Sequence, residues 1–223
     1  MKAAKWNVQT AVDNYYNDGG NQSVANLSNE MTTAFDKYKK VGIDEGGDES
    51  LDAIQGDGLM QLLTDLDIDP TSVNALVFCW KMNMKVAFTL SRSEWTDCLS
   101  DHSIKSMQQL KQKASKDWPS ELSNATSFKQ FYLFVFEYSK EVGSRSLPVD
   151  VAVPTWQVIL QGKYVHLDKW CQFVETEFNK AIPRDLWALF LDFTRTYPAD
   201  VKSYEDDGAW PSAIDSFVEY LRK

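Results

Sequence analysis

Hydrophobic side chains recur along most of this chain at the spacing of helices. Val73, Leu76, Val77 and Trp80 stand at i, i+3, i+4 and i+7. Leu186, Leu189, Phe190 and Phe193 repeat that spacing, and Ile214, Phe217, Val218 and Leu221 repeat it again. Each set paints one face of a helix. Start signals accompany them. Asp69 followed by Pro70 supplies an N-cap and a proline at the first helical position. Ser91 with Glu94 has capping-box spacing ahead of Trp95 and Leu99. Pro183 and Pro211 each open a further helix. Convincing runs of alternating polar and apolar residues are missing, although a short extended piece fits near Val86 to Thr89. The pattern predicts an all-α fold.

Three stretches interrupt the pattern. Residues 18–28 are polar with paired glycines and read as a linker. Residues 42–58 are rich in Gly and acid and read as a long surface loop, and residues 142–148 separate a Phe/Tyr-rich helix from the C-terminal half. The expected organisation is a short helical piece over 1–20, a linker over 21–28, and one helical domain of two lobes over 29–223. No internal repeat suggests a solenoid.

Composition narrows the function. Eight Trp, nine Tyr and twelve Phe supply a core that needs no disulfides. A net charge of −9 argues against sequence-independent nucleic-acid binding, which needs a basic surface, and fits a basic partner. Cys79, Cys98 and Cys171 are odd in number, far apart and in apolar helical contexts, as suits reduced thiols in a nuclear or cytoplasmic protein. The opening MKAAKWNVQT has no signal-peptide core. No stretch approaches the apolar length of a membrane span, so no membrane partner is expected.

Asp44, Asp48, Asp52 and Asp57 lie between two helical patterns, as a calcium loop requires. Counted from Asp44, however, the third place is Gly46, the sixth Glu49 and the twelfth Gln55, so the bidentate Glu is missing. Residues 82–93, the second candidate loop, contain no carboxylate at all. Cys98 and His102 share a helical spacing, but Cys79, His166 and Cys171 add no zinc-ligand pattern. Neither histidine stands in a local motif with a Cys or Ser, and Gly46-Gly47 precedes no phosphate-binding lysine. No metal and no cofactor is expected, and no catalytic residue. One region is more specific. Asp200, Glu205, Asp206, Asp207 and Asp215 surround a single Lys202, with Gly208-Ala209-Trp210-Pro211 between them. Gly208 permits a sharp turn, Trp210 is an apolar anchor, and the acids read either as helix capping and solubility or as a platform for a Lys/Arg-rich partner.

Several long motifs, in order, resemble the potentiating-neddylation domain of the defective-in-cullin-neddylation family. They are LDIDPTSVNALVFCWKM (66–82), FKQFYLFVFEYSK (128–140), WQVILQGKYVHLDKWCQF (156–173), IPRDLWALFLDF (182–193) and YEDDGAWPSAIDSFVEYLR (204–222). The resemblance runs from about Ser28 to the end. It implies an all-helical fold of EF-hand-like lobes without calcium-binding loops. It also implies a non-catalytic scaffold that promotes cullin neddylation, with the transfer performed by the conjugating enzyme and a RING subunit. By the same resemblance Asp185, Ala209 and Asp215 bind the cullin C-terminal region. Leu59, Ala75, Phe78, Cys79, Leu90, Tyr138 and Val158 line an apolar pocket for the conjugating enzyme's N-terminal methionine, best when acetylated. Ala75 and Phe78 depart from the aliphatic residues of the family at these places. A second resemblance covers Lys2 to Val8 and Ala11 to Tyr16, which look like the last part of a ubiquitin-associated domain. The first helix and loop with which such domains grip ubiquitin are not in the chain, which counts against the alternative of a ubiquitin-binding adaptor.

Overall fold

The structure is a computed structural model and describes residues 28–205 and 208–222. The expected UBA-like piece and all but the last residue of the expected linker lie outside the described residues. What is described is mainly helical, as the hydrophobic spacing requires.

Two helix–loop–helix units come first. Helix α1 (Asn29–Asp44) is capped by Ser28, whose hydroxyl accepts from the Met31 amide. A loop carrying β1 (Ala53–Gln55) leads to α2 (Gly56–Asp65). Helix α3 (Val73–Lys81) and α4 (Arg92–Asp101) flank a second loop that ends in β2 (Thr89–Ser91). The two loops are joined back to back: β1 and β2 pair antiparallel, with Ala53 opposite Ser91, Ile54 opposite Leu90 and Gln55 opposite Thr89. Three residues per strand are too few for an alternation to show in the sequence. The Ser91–Glu94 capping box is formed in both directions. Glu94 also accepts from the Lys85 amide at 2.9 Å, so one carboxylate fixes both the loop and the helix start.

Helix α5 (Met107–Gln112) continues through a π-helical turn (Lys113–Asp117) and the short α6 (Trp118–Ser120) into the second lobe. The same device then recurs. Helices α7 (Ala125–Ser139) and α8 (Val149–Leu160) flank β3 (Ser146–Leu147). Helix α9 (Leu167–Phe173), extended by a π-helical turn, and α10 (Arg184–Thr196) flank β4 (Ile182–Pro183). Strands β3 and β4 pair antiparallel. Helix α11 (Ser212–Arg222) closes the lobe.

Aromatic side chains hold the second lobe. Trp156 stacks on Trp187 at 4.8 Å and Trp170 on Phe190 at 4.0 Å between ring centroids. The Tyr132 hydroxyl accepts from Trp156 Nε1 at 2.7 Å and donates to the Trp187 carbonyl at 3.0 Å, so this buried polar group is satisfied on both sides. Trp80 meets Phe131 edge-on at 5.8 Å and ties the two lobes together through α3 and α7.

Two expectations from the sequence need correction. The glycine-rich stretch is not a loop throughout: α1 runs through Gly42 to Asp44, and α2 already includes Gly58. Both glycines are buried where the two helices touch backbone to backbone. A β-carbon on Gly58 would lie 2.2 Å from the Tyr38 carbonyl oxygen. The second correction is that α3 begins at Val73, not after Asp69. The Asp69 carboxylate instead accepts from the Thr71 amide at 2.8 Å, which holds residues 69–72 in a turn before the helix. The other start signals stand, with Pro183 flanking α10 and the Pro211 carbonyl accepting from the Ile214 amide at 2.7 Å.

Two acids of the first loop, Asp52 and Asp48, are engaged within the fold. Asp52 takes the Arg92 guanidinium at 2.7 Å and Lys39 at 3.0 Å, and Arg92 also reaches Asp36 at 2.6 Å. Asp48 accepts from the amide and hydroxyl of Ser50. Among the described residues no group of three or more His, Cys, Asp or Glu is arranged to hold a metal ion, and no helix is long and apolar enough to cross a membrane.

Candidate docking sites

A cavity of about 230 Å³ opens where α2 and α3 of the first lobe face α7 and α8 of the second. Its floor is nearly inaccessible: Leu59, Leu63, Ala75 and Cys79 expose 5% or less of their surface. Its rim is open, with Met60 37% and Phe88 58% exposed. Tyr138, Pro154, Thr155 and Val158 close the side toward the second lobe, and Pro70, Thr71, Ser72 and Leu76 the side toward the start of α3. None of these side chains is charged at neutral pH. Burial pushes the Cys79 thiol up to about 11, and burial pushes the Tyr138 phenol higher still. The Tyr138 hydroxyl lies beside Cys79 and accepts from the Phe88 amide at 3.1 Å. A neutral, concave, mostly apolar wall of this kind suits an apolar side chain and repels an unpaired ion.

Of the seven residues expected to line a pocket, the structure brings Leu59, Ala75, Cys79, Tyr138 and Val158 onto this wall. It places Phe78 and Leu90 behind it. Phe78 is fully buried against Trp118, and Leu90 is fully buried in the β1–β2 ladder. Helix geometry explains Phe78. At ~100° per residue, Ser72, Ala75, Leu76 and Cys79 share one sector of α3, and Phe78 falls just outside it. Met60 and Phe88, the open rim, were not anticipated. An aromatic residue in the short extended piece at Val86 to Thr89 was the available signal.

The acids expected for a second site lie in the other lobe. Asp185 is exposed in the first turn of α10, and Asp215 is half-buried in the first turn of α11. Both positions complement the positive end of a helix dipole. Ala209 is exposed and follows Gly208, whose φ of +76° turns the chain. The segment that carries Ala209 is fixed at several points. Trp210 packs edge-on against Phe193 of α10 at 5.7 Å, and the Tyr204 hydroxyl donates to the Asp215 carboxylate. The Arg222 guanidinium donates to the carbonyls of Val201 and Tyr204, both at 2.9 Å. Ala209 and Asp215 are thereby held in one braced segment beside the helix that bears Asp185.

None of the three cysteines is an activated nucleophile. Burial raises Cys98 and Cys171 to about 12, so neither is a thiolate at neutral pH. His102 packs on Trp118, and His166 Nε2 pairs with the Ala199 carbonyl at 3.0 Å.

The described residues thus form a mainly helical protein with a neutral apolar cavity between its lobes and, in the second lobe, two acids at the starts of α10 and α11. Comparison with known proteins agrees. The model of the cullin-binding family matches residues 105–220. "Defective in cullin neddylation protein 1" of Yarrowia lipolytica is 31% identical, over 98% of this chain and 86% of its own length. The Caenorhabditis elegans protein of the same name is 27% identical over 100% of this chain and 83% of its own length. Human "DCN1-like protein 3" is 31% identical over 91% of this chain and 67% of its own length. The chain belongs to the defective-in-cullin-neddylation family.

Proposed function

We propose that this protein promotes cullin neddylation as a scaffold without a reacting group of its own. The acidic face at Asp185, Ala209 and Asp215 takes the cullin C-terminal region. The cavity takes the N-terminal methionine of the modifier-charged conjugating enzyme, with a RING subunit completing the assembly. The observation that carries this reading is the charge-free cavity floor of Leu59, Leu63, Ala75 and Cys79. A methionine side chain is flexible enough to fill such an irregular apolar space. A free N-terminal ammonium beside it would be desolvated without a partner, and acetylation removes that charge.

Scaffolding is sufficient chemistry here. A thioester and an acceptor amine react when held in near-attack geometry, and two docking surfaces on one stiff body convert a loose encounter into an effectively intramolecular one. The thiols raised by burial support a role without a covalent intermediate on this chain. The test is calorimetric titration with N-terminal peptides of the conjugating enzyme. The acetylated peptide should bind at least about tenfold more tightly than the free amine, a difference of ~1.4 kcal/mol. Ala75→Arg should remove binding of both. Equal affinities, or binding untouched by Ala75→Arg, would place the conjugating-enzyme site elsewhere.

A further inference from the structure

A second cavity, of about 340 Å³, lies between α11 and the π-helical turn that extends α9. The i→i+5 bond from the Asn179 amide to the Val174 carbonyl, at 2.9 Å, widens that turn. In a regular α-helix Phe173 and Phe178 would diverge by about 140°, whereas here both line the cavity. Tyr220 of α11 meets Phe173 at 5.6 Å between ring centroids and completes the aromatic wall. Glu177, Glu219 and Lys180 supply the charge, two carboxylates against one ammonium. Both carboxylates stand where their own helices disfavour them. Glu177 is in the last turn before the helix ends at Asn179, at the negative end of the dipole. Glu219 follows Asp215 by four residues, so two like charges are neighbours on α11. The nearby cations are turned elsewhere. Arg222 donates to the carbonyls of Val201 and Tyr204, and Lys180 Nζ lies 5.9 Å from the centroid of the Phe178 ring. Among the described residues neither carboxylate is in an ion pair.

We propose that this cavity receives an arginine side chain of the docked cullin, as a second contact beside the face of Asp185, Ala209 and Asp215. This rests on the reading of that face as the cullin site. Continuity argues for the same partner, because Glu219 is one helical turn from Asp215, about 6 Å along α11. Charge argues for a cation, since the carboxylates outnumber the ammonium. Size argues for one long side chain, since the volume is at the small end for ligand sites. Of the two cationic side chains arginine fits better. Its planar, weakly hydrated guanidinium stacks on aromatic rings while its N–H groups donate to carboxylates. A cation bound there also relieves the repulsion between Asp215 and Glu219, so the two contacts support each other.

Surface plasmon resonance on the immobilised cullin C-terminal region reads the contact with the full chain. Glu177→Gln combined with Glu219→Gln should weaken binding about tenfold and make it less salt-dependent, and Asp215→Asn should weaken it independently. The melting temperature of the double variant should equal or exceed that of wild type, because glutamine removes charge from unfavourable places. In NMR titrations, acetyl-arginine amide should shift the amide resonances of Lys180 and Glu219 in wild type, and acetyl-citrulline amide, its neutral counterpart, should not. Wild-type cullin affinity in the double variant, a fall in its melting temperature, or equal shifts from the two amides overturns the arginine site while leaving the acidic face in place. Cullin affinity untouched by Asp215→Asn overturns the acidic face and this proposal with it.

Discussion

Gly58→Ala adds one methyl group where two helices meet, and the structure fixes its consequences closely. The new carbon would lie 2.2 Å from the Tyr38 carbonyl oxygen and 2.9 Å from the Gly42 nitrogen, both backbone atoms of α1. No rotamer relieves such contacts, so α1 and α2 must move apart by about 1 Å to reach ordinary separations. Overpacking of this kind costs about 1–3 kcal/mol. Against it stands the lower unfolded-state entropy of alanine in a helix, which contributes about 0.4–1 kcal/mol of stability. The clash is with backbone and wins, leaving a loss of about 1–2 kcal/mol. For a chain of this size each kcal/mol moves the melting temperature by about 2–4 °C, so a fall of about 2–8 °C is expected. Leu59 and Met60, the next two residues, form part of the cavity, so peptide affinity should fall as well. Thermal melts by circular dichroism and peptide calorimetry read the two effects. A melting temperature equal to or above wild type would refute the close approach of α1 and α2.

Asp52→Asn should remove a tie between α1, β1 and α4, with a pH signature. The Arg92 guanidinium, aided by Lys39, holds the Asp52 carboxyl below its ordinary value. A depressed folded pKa means that the stabilisation is complete above the unfolded value and is lost as pH falls through the folded one. The variant should thus be less stable than wild type at pH 7, by under about 1 kcal/mol because the carboxylate is half exposed, and the gap should close below about pH 4 in thermal melts. Asp215→Asn should weaken cullin binding by at least about tenfold without a change in helicity, since asparagine still accepts from Tyr204; wild-type affinity should also fall as salt rises, and surface plasmon resonance measures both.

Much of this architecture was legible before any coordinates. The three-and-four spacing marked α3, α10 and α11, and Ser91 with Glu94 marked the start of α4, because these signals are local. What depended on long-range contact was not legible. Gly42 and Gly58 read as loop because glycine serves both turns and close helix crossings, and only the partner backbone tells them apart. Asp69 with Pro70 read as a helix start because an N-cap and a turn-forming aspartate use the same hydrogen bond from a side-chain oxygen. In the cavity, the helix positions Ala75 and Cys79 converge as expected, whereas Phe78 and Leu90 turn into the core. Phe88 reaches the rim through a left-handed backbone that no periodicity encodes.

If two separate surfaces on one body promote transfer to a cullin, stimulation requires both to be intact. Reconstituted neddylation tests it most directly, with a cullin–RING complex and charged conjugating enzyme, with and without this protein. Wild type should raise the initial rate, and Asp215→Asn at the acidic face and Ala75→Arg at the cavity should each abolish the rise. Stimulation that survives both substitutions, or that wild type fails to give, would contradict it.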